Sequence, residues 1–404
     1  MFTITKDLML PSTVTGSWPR PRWYDMSMWG RSLDVCMMDV RYREQFQDAM
    51  AVIISDQERA GLDLLVHGDL HCDEDMAGRA WHHYPLQRWK GVEGDHLQPE
   101  ETRSEFLKYP PGTLLYEIYT GWRWPRIVDK IEDARLDYHK IWRIAQAKTR
   151  KPVRFGTCTA QIMGLFLDIH TDKYKDKREA AWDMAAAMNK ELLRLQAAGC
   201  KCIQVEEPAV HFLADKFPDD KEGLQFSIDC LNRELEGLDD VEIWLHTCWG
   251  NPNMQKVMQN NSYKNSIELY LEQCKGDVWT IECKDNNYQD LPLLEPFKDD
   301  MKKKIAVGVV SHRSLQADTP EDVAAGLRTA LKYIKPENLI ATSDCGFGRQ
   351  GFNREIAFYK ASAIAQGCNI VRKELGLETT YIPAADPQLQ IDQVPWRGFE
   401  LGKD

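Results

Sequence analysis

The sequence predicts a (β/α)8 TIM barrel, and three observations carry that prediction. Short apolar, β-rich runs recur eight times, and each is followed by a stretch that reads as helix. Polar and metal-binding residue types then cluster just where the apolar runs stop, which is where such barrels carry their chemistry. A doubly wound sheet is the alternative arrangement of the same alternation.

In chain order, the first run is LPSTVTG near 10–16 and the second is LDLLVHG at 62–68. Residues 70–150 are too long for a simple connection and rich in Trp, Tyr, His and Arg, as in AWHHYPLQRWKG and YEIYTGWRWPRIVDKI. A helical, aromatic insertion after strand two is expected there, either folded over the barrel mouth or packed as a surface subdomain. The remaining runs are PVRFGTC at 152–158, CIQVEEP at 202–208, EIWLHTC at 242–248, VWTIECK at 278–284, KIAVGVV at 304–310 and LIATSDC at 339–345. Among the intervening helices, EAAWDMAAAMNKELLRLQAAG closes on Gly199, a suitable C-terminal cap. TPEDVAAGLRTALKYI opens with Thr319 and Pro320, suited to the N-cap and the first helical position. The tail 377–404 has several prolines and no strong periodicity, so it is expected to wrap the body or mediate association. Residues 1–404 read as a single barrel domain.

Bulk properties exclude several classes. The net charge of −11 argues against a nucleic-acid surface, and an apolar content of 43% argues against disorder. Eleven cysteines are scattered without regular spacing, and MFTITKDLML lacks the charged and apolar regions of a signal peptide. No apolar run approaches membrane-spanning length. A cytoplasmic protein acting on small molecules is expected, and homo-oligomers are common among barrels of this size.

His246 and Cys248 stand two apart at the end of VEIWLHTC, so a strand turns both to the same face. Imidazole and thiolate are preferred zinc ligands. Other strand ends supply Thr15-Gly16-Ser17, Asp69, Glu206-Glu207, Glu282 and Cys345. His246, Cys248, Glu282 and Cys345 could meet around one ion, and two thiolates favour Zn2+ over magnesium or calcium. Taken singly, each has a bland alternative: a buried cysteine, a satisfied core histidine, a glutamate paired with a lysine or arginine. Four bland residues at matching strand ends is the less economical account. A dithiolate zinc would hold a substrate thiol as thiolate and so promote sulfur attack on carbon. Hydrolysis by zinc-bound water is the competing chemistry, and a metal that only stabilises the barrel is a non-catalytic one.

The ordered set VTGSWPRP, LVHGD, IQVEEPA, HTC, TIEC and SDCGFGR resembles the catalytic barrel of the cobalamin-independent methionine synthase family over most of the chain. The resemblance implies zinc held by His246, Cys248, Glu282 and Cys345. It implies a Gly-Ser turn at Thr15, Gly16 and Ser17 holding an amino-acid carboxylate, with Asp69 and Glu206 against the ammonium of homocysteine. The family has Glu and then Asp at these two acidic positions, so the side-chain lengths are exchanged here. The N-terminal barrel of the full-length enzymes has no counterpart in these 404 residues. The family's His-Ser after strand seven is out of register with Ser311-His312-Arg313-Ser314, which leaves His312 either as a shifted proton donor or as part of the rim. The expected activity is methyl transfer from a 5-methyltetrahydrofolate-type donor to a homocysteine-type thiol, with Glu282 exchanging on the metal during the cycle. The related epoxyalkane:coenzyme M transferases are the alternative, with Arg20, Arg22 or Arg313 facing a sulfonate. The segment Pro19 to Asp25 fits either.

Overall fold

The computed structural model describes residues 1–24, 31–72, 82–97, 109–164, 166–258, 262–348 and 352–389. Its strands are β1 Leu65–Val66, β2 Val92–Leu97, β3 Arg123–Ile127, β4 Val153–Cys158, β5 Asp168–Ile169, β6 Cys202–Glu206, β7 Glu242–Thr247, β8 Val278–Ile281, β9 Lys304–Val310 and β10 Leu339–Ser343. Seven of them form a curled parallel sheet in the order β1-β4-β6-β7-β8-β9-β10. β7, β9 and β10 are buried throughout, and β9 after Lys304 is accordingly apolar without a break.

Residues 11–15 take the eighth place and close the sheet. Thr13 N–H donates to the Ala341 carbonyl at 2.9 Å, and Ala341 N–H to that of Pro11 at 2.9 Å. On the other side, Leu64 N–H donates to the Ser12 carbonyl at 3.1 Å. This closure rules out the doubly wound alternative. The first run is nevertheless an extended segment with one bridge, Ser12 to Ala341, instead of the full strand expected. Pro11 has no N–H to give, and Thr15 N–H goes to the Ser343 hydroxyl at 2.9 Å instead of to a backbone carbonyl.

The barrel interior is packed. Leu64, Cys202, Trp244, Val278, Ala306 and Ile340 come from six different strands or strand starts and form one buried cluster, capped by Phe2, Ile4 and Leu8. Glu242 ties that cap down, accepting from the backbone of Thr3 (2.8 Å) and Thr5 (3.1 Å). The outer helices start where local chemistry dictates. Asp176 caps Lys177–Ala197, which ends before Gly199 in the left-handed region. Thr319 and Asp322 form a reciprocal capping box on Pro320–Ala330.

The insertion is shorter than 70–150 and not only helical. Helix Tyr138–Gln146 precedes β4 and packs against helices Val40–Arg59 and Lys177–Ala197, so it belongs to the barrel wall. The remainder contains an antiparallel β2–β3 pair extended by β5, a strand that follows β4 in sequence. Aromatic rings hold it: His82 stacks on Trp124 at 3.9 Å, and Trp124 on Phe166 at 4.7 Å. The Tyr109 hydroxyl donates to the Val257 carbonyl, and Val257 N–H in turn donates to Trp249 at 3.1 Å. The insertion therefore lies against the loop that follows β7, at the barrel mouth. The tail does wrap the body as far as it is described: Thr380 donates to Asp63 at 2.8 Å, and Ile382 covers Gly61. Asp25, parts of the insertion and tail residues 390–404 lie outside the described residues. Among the described residues, no helix is long and apolar enough to cross a membrane.

Candidate metal centre

β7 delivers His246 and, one residue past its end, Cys248; the turn after β10 delivers Cys345. One ligand atom from each of these three residues lies within 4.8 Å of the other two. One zinc ion can bridge such a set, since Zn–S and Zn–N bonds are about 2.3 Å and 2.0–2.1 Å. The site's own electrostatics favour the thiolate, the form that binds metal, at Cys248 and a proton, which a metal would have to displace, at His246. Hydrogen bonding to Cys345, and then to His246, holds the Cys248 thiol well below its ordinary range despite burial. Burial alone would lower His246, but the Glu206 carboxylate and Cys248 outweigh it and push the imidazole up to about 9. The Asn251 side-chain amide donates to the Cys345 sulfur at 3.2 Å, a polar support that the sequence reading missed.

Glu282 lies beside this trio rather than within it. Both of its oxygens meet the Arg313 guanidinium, and Oε2 also accepts from Trp249 N–H at 3.1 Å. Burial raises the Glu282 carboxyl, to about 7, against the opposing pull of Arg313. Arg313 is fastened in turn by Asp285 (2.7 Å) and the Gly250 carbonyl (2.7 Å). The arginine read from sequence as a possible anion contact thus ties together loops around the candidate centre.

The acidic pair flanks the same mouth. Glu206 Oε2 lies 3.3 Å from His246 Nε2, and Gln204 donates to Glu206 Oε1 at 2.8 Å. Asp69 Oδ1 lies 3.3 Å from His67 Nε2 and faces Gly156, where a Cβ would come to 3.2 Å of it. Gly16, at φ +62°, brings the first turn against both the last one and Glu206: a Cβ there would lie 3.6 Å from Gly346 Cα and 3.7 Å from Glu206 Oε1. Ser17 Oγ accepts from Gly348 N–H at 3.1 Å. Thr15 is fully buried, with its hydroxyl on Thr342 at 2.8 Å, and so supports the turn from beneath.

His312 is buried after β9, with Nδ1 3.9 Å from Asp285 Oδ2. Asp285, His312 and Asp344 form a second close group. Asp344 accepts backbone N–H bonds from Cys283 (2.8 Å), Lys284 (2.9 Å) and Asp285 (2.9 Å). It therefore staples the turn after β8 to the turn after β10. Its place between Ser343 and Cys345 was the available signal, since the SDC run ends a strand at the barrel mouth.

The profile described as the catalytic domain of the cobalamin-independent synthase matches residues 120–364, well over half of the chain. The chain belongs to the cobalamin-independent methionine synthase family. Within that family, the methionine synthase of Sulfurisphaera tokodaii is 29% identical over 371 residues, covering 91% of this chain and 94% of its own. That of Saccharolobus solfataricus is 27% identical, covering 91% and 96%. The fold likeness extends to a B12-independent methionine synthase from Shewanella sp. W3-18-1, solved in complex with selenomethionine. It has a TM-score of 0.72 at 22% identity, covering 91% of this chain and 99% of that one.

Proposed function

We propose that the chain is a zinc-dependent methyltransferase that moves a methyl group from a methylated donor to a small thiol of the homocysteine type. The observation that carries this reading is the cluster of His246, Cys248 and Cys345 with the Glu206 carboxylate 3.3 Å from its imidazole. One side holds a sulfur and the other an ammonium, as an amino-acid thiol requires. Family membership and the names of the methionine synthase relatives support it.

His246, Cys248 and Cys345 would hold zinc, with Glu282 as an exchangeable fourth ligand. When bound, the ion supplies a lowered pKa to a coordinated thiol, so that the thiol reacts as thiolate near neutral pH. The protein's part is orientation and charge. Asp69 and Glu206 receive the substrate ammonium, while Gly16 and Ser17 receive its carboxylate. These contacts aim the sulfur at the mouth, beneath the insertion, where the donor carbon must arrive in line. The S–CH3 bond forms as the bond from that methyl to the donor heteroatom breaks. The heteroatom keeps the electron pair and takes a proton, for which His312, beside Asp285, is the candidate donor. Epoxide opening with coenzyme M is less well supported, because Arg313 is already engaged by Glu282 and Asp285. We further propose that residues 1–404 act as one such barrel, in a cytoplasmic setting.

X-ray absorption at the zinc edge, with homocysteine, coenzyme M and simple thiols titrated in turn, tests the reading. A new Zn–S contact with homocysteine is expected; none with any thiol would overturn it.

A further inference from the structure

Arg313 joins three loops. It donates to Gly250 beyond β7, to Glu282 and Asp285 beyond β8, and itself follows β9. Its guanidinium forks across both oxygens of a carboxylate whose side chain is fully buried. We infer that Arg313 is a positioning residue that receives Glu282 whenever that carboxylate is off the metal, and thereby makes the fourth coordination place exchangeable. This rests on the proposed zinc and thiol reading.

The physical argument concerns where Glu282 goes when a substrate sulfur replaces it. A buried carboxylate released without a partner is strongly unfavourable, so it would stay on the ion and oppose thiol entry. Arg313, itself anchored by Asp285 and the Gly250 carbonyl, offers a ready alternative partner. Trp249 N–H, at 3.1 Å, marks the same resting place. Both states keep the carboxylate paired, so exchange need not expose a bare charge.

Arg313→Met removes the guanidinium at similar length, and Arg313→Lys keeps the charge without the fork. Each cobalt-substituted protein would be titrated with homocysteine. The charge-transfer band reports sulfur ligation, and a chromophoric chelator reports metal affinity. For Arg313→Met, metal affinity at or above wild type is expected. Its thiol affinity should weaken roughly 30-fold or more, the usual scale for stranding a buried charge. Arg313→Lys should fall between, and decides the matter if the Met variant does not fold. Unchanged thiol affinity in the variants, with a normal wild-type response, overturns the inference alone. A wild-type protein that binds no metal, or shows no thiol band, overturns the proposed function with it.

Discussion

His246 Nε2 and Glu206 Oε2 lie 3.3 Å apart, at the adjacent ends of β7 and β6, and join the candidate metal centre to the acidic pocket. The parallel pairing of these strands sets Glu206 directly against His246, so one register decides both halves of the site. Under the proposed function, a substrate whose sulfur and ammonium are a few bonds apart would reach both.

Cys345→Ser should lose zinc. Removing a ligand should cost more than the about 10–100-fold in affinity typical of losing an outer-shell partner. Asn251→Ala, which only removes the hydrogen bond to Cys345, should fall within that range. Metal content by mass spectrometry after dialysis checks both, and full zinc in Cys345→Ser would sink the ligand assignment.

Glu206→Gln should raise the KM for homocysteine roughly 10–100-fold, the scale of one charged hydrogen bond of about 1.5–3 kcal/mol. Zinc affinity should fall by no more than in Asn251→Ala, since both residues only support a ligand. A simple alkyl thiol without an amine should be affected far less, and equal losses for both thiols would contradict an ammonium contact.

His312→Gln should reduce kcat by about 10²–10⁴-fold, the range for a lost general acid, with zinc and thiol binding retained. The loss should be smallest for donors whose leaving group needs no proton. A uniform loss across donors would make His312 a packing residue.

Two buried glutamates should contribute progressively less to stability as pH rises from about 5 to 8. Burial raises Glu234 to about 8 and Glu207 to about 7, above the ordinary 4.5. The native state then holds protons that the unfolded chain has already released, so their contribution is complete below about 4.5 and is lost as pH passes 7–8. Glu234 accepts from Ala160 N–H at 2.8 Å, a bond that glutamine can keep. Glu234→Gln should therefore lose less stability than wild type over this interval, by a few kcal/mol on the linkage scale. Urea unfolding at stepped pH measures it, and parallel curves would refute the assignment.

Most of the barrel was legible because its signals are local. Apolar runs mark buried parallel strands, Thr319-Pro320 marks a helix start, and Gly199 a helix end. The weak first strand and the mixed insertion were not, because each depends on partners far away in sequence. Pro11 to Thr15 pairs with residues 341–343, and β5 joins β3 although β4, a strand of the other sheet, lies between them in sequence. A periodicity reading cannot see either pairing.

The residue types of the candidate centre, and their places at strand ends, follow from sequence alone: a thiolate and an imidazole two apart on one strand must share a face. Tertiary structure decided what each one touches. It brought His246, Cys248 and Cys345 into one cluster, laid Glu282 against Arg313, and set Glu206 beside His246. The reason is geometric. Strand pattern specifies which side chains reach the barrel mouth, whereas contacts between loops some 30–100 residues apart exist only once the sheet has closed.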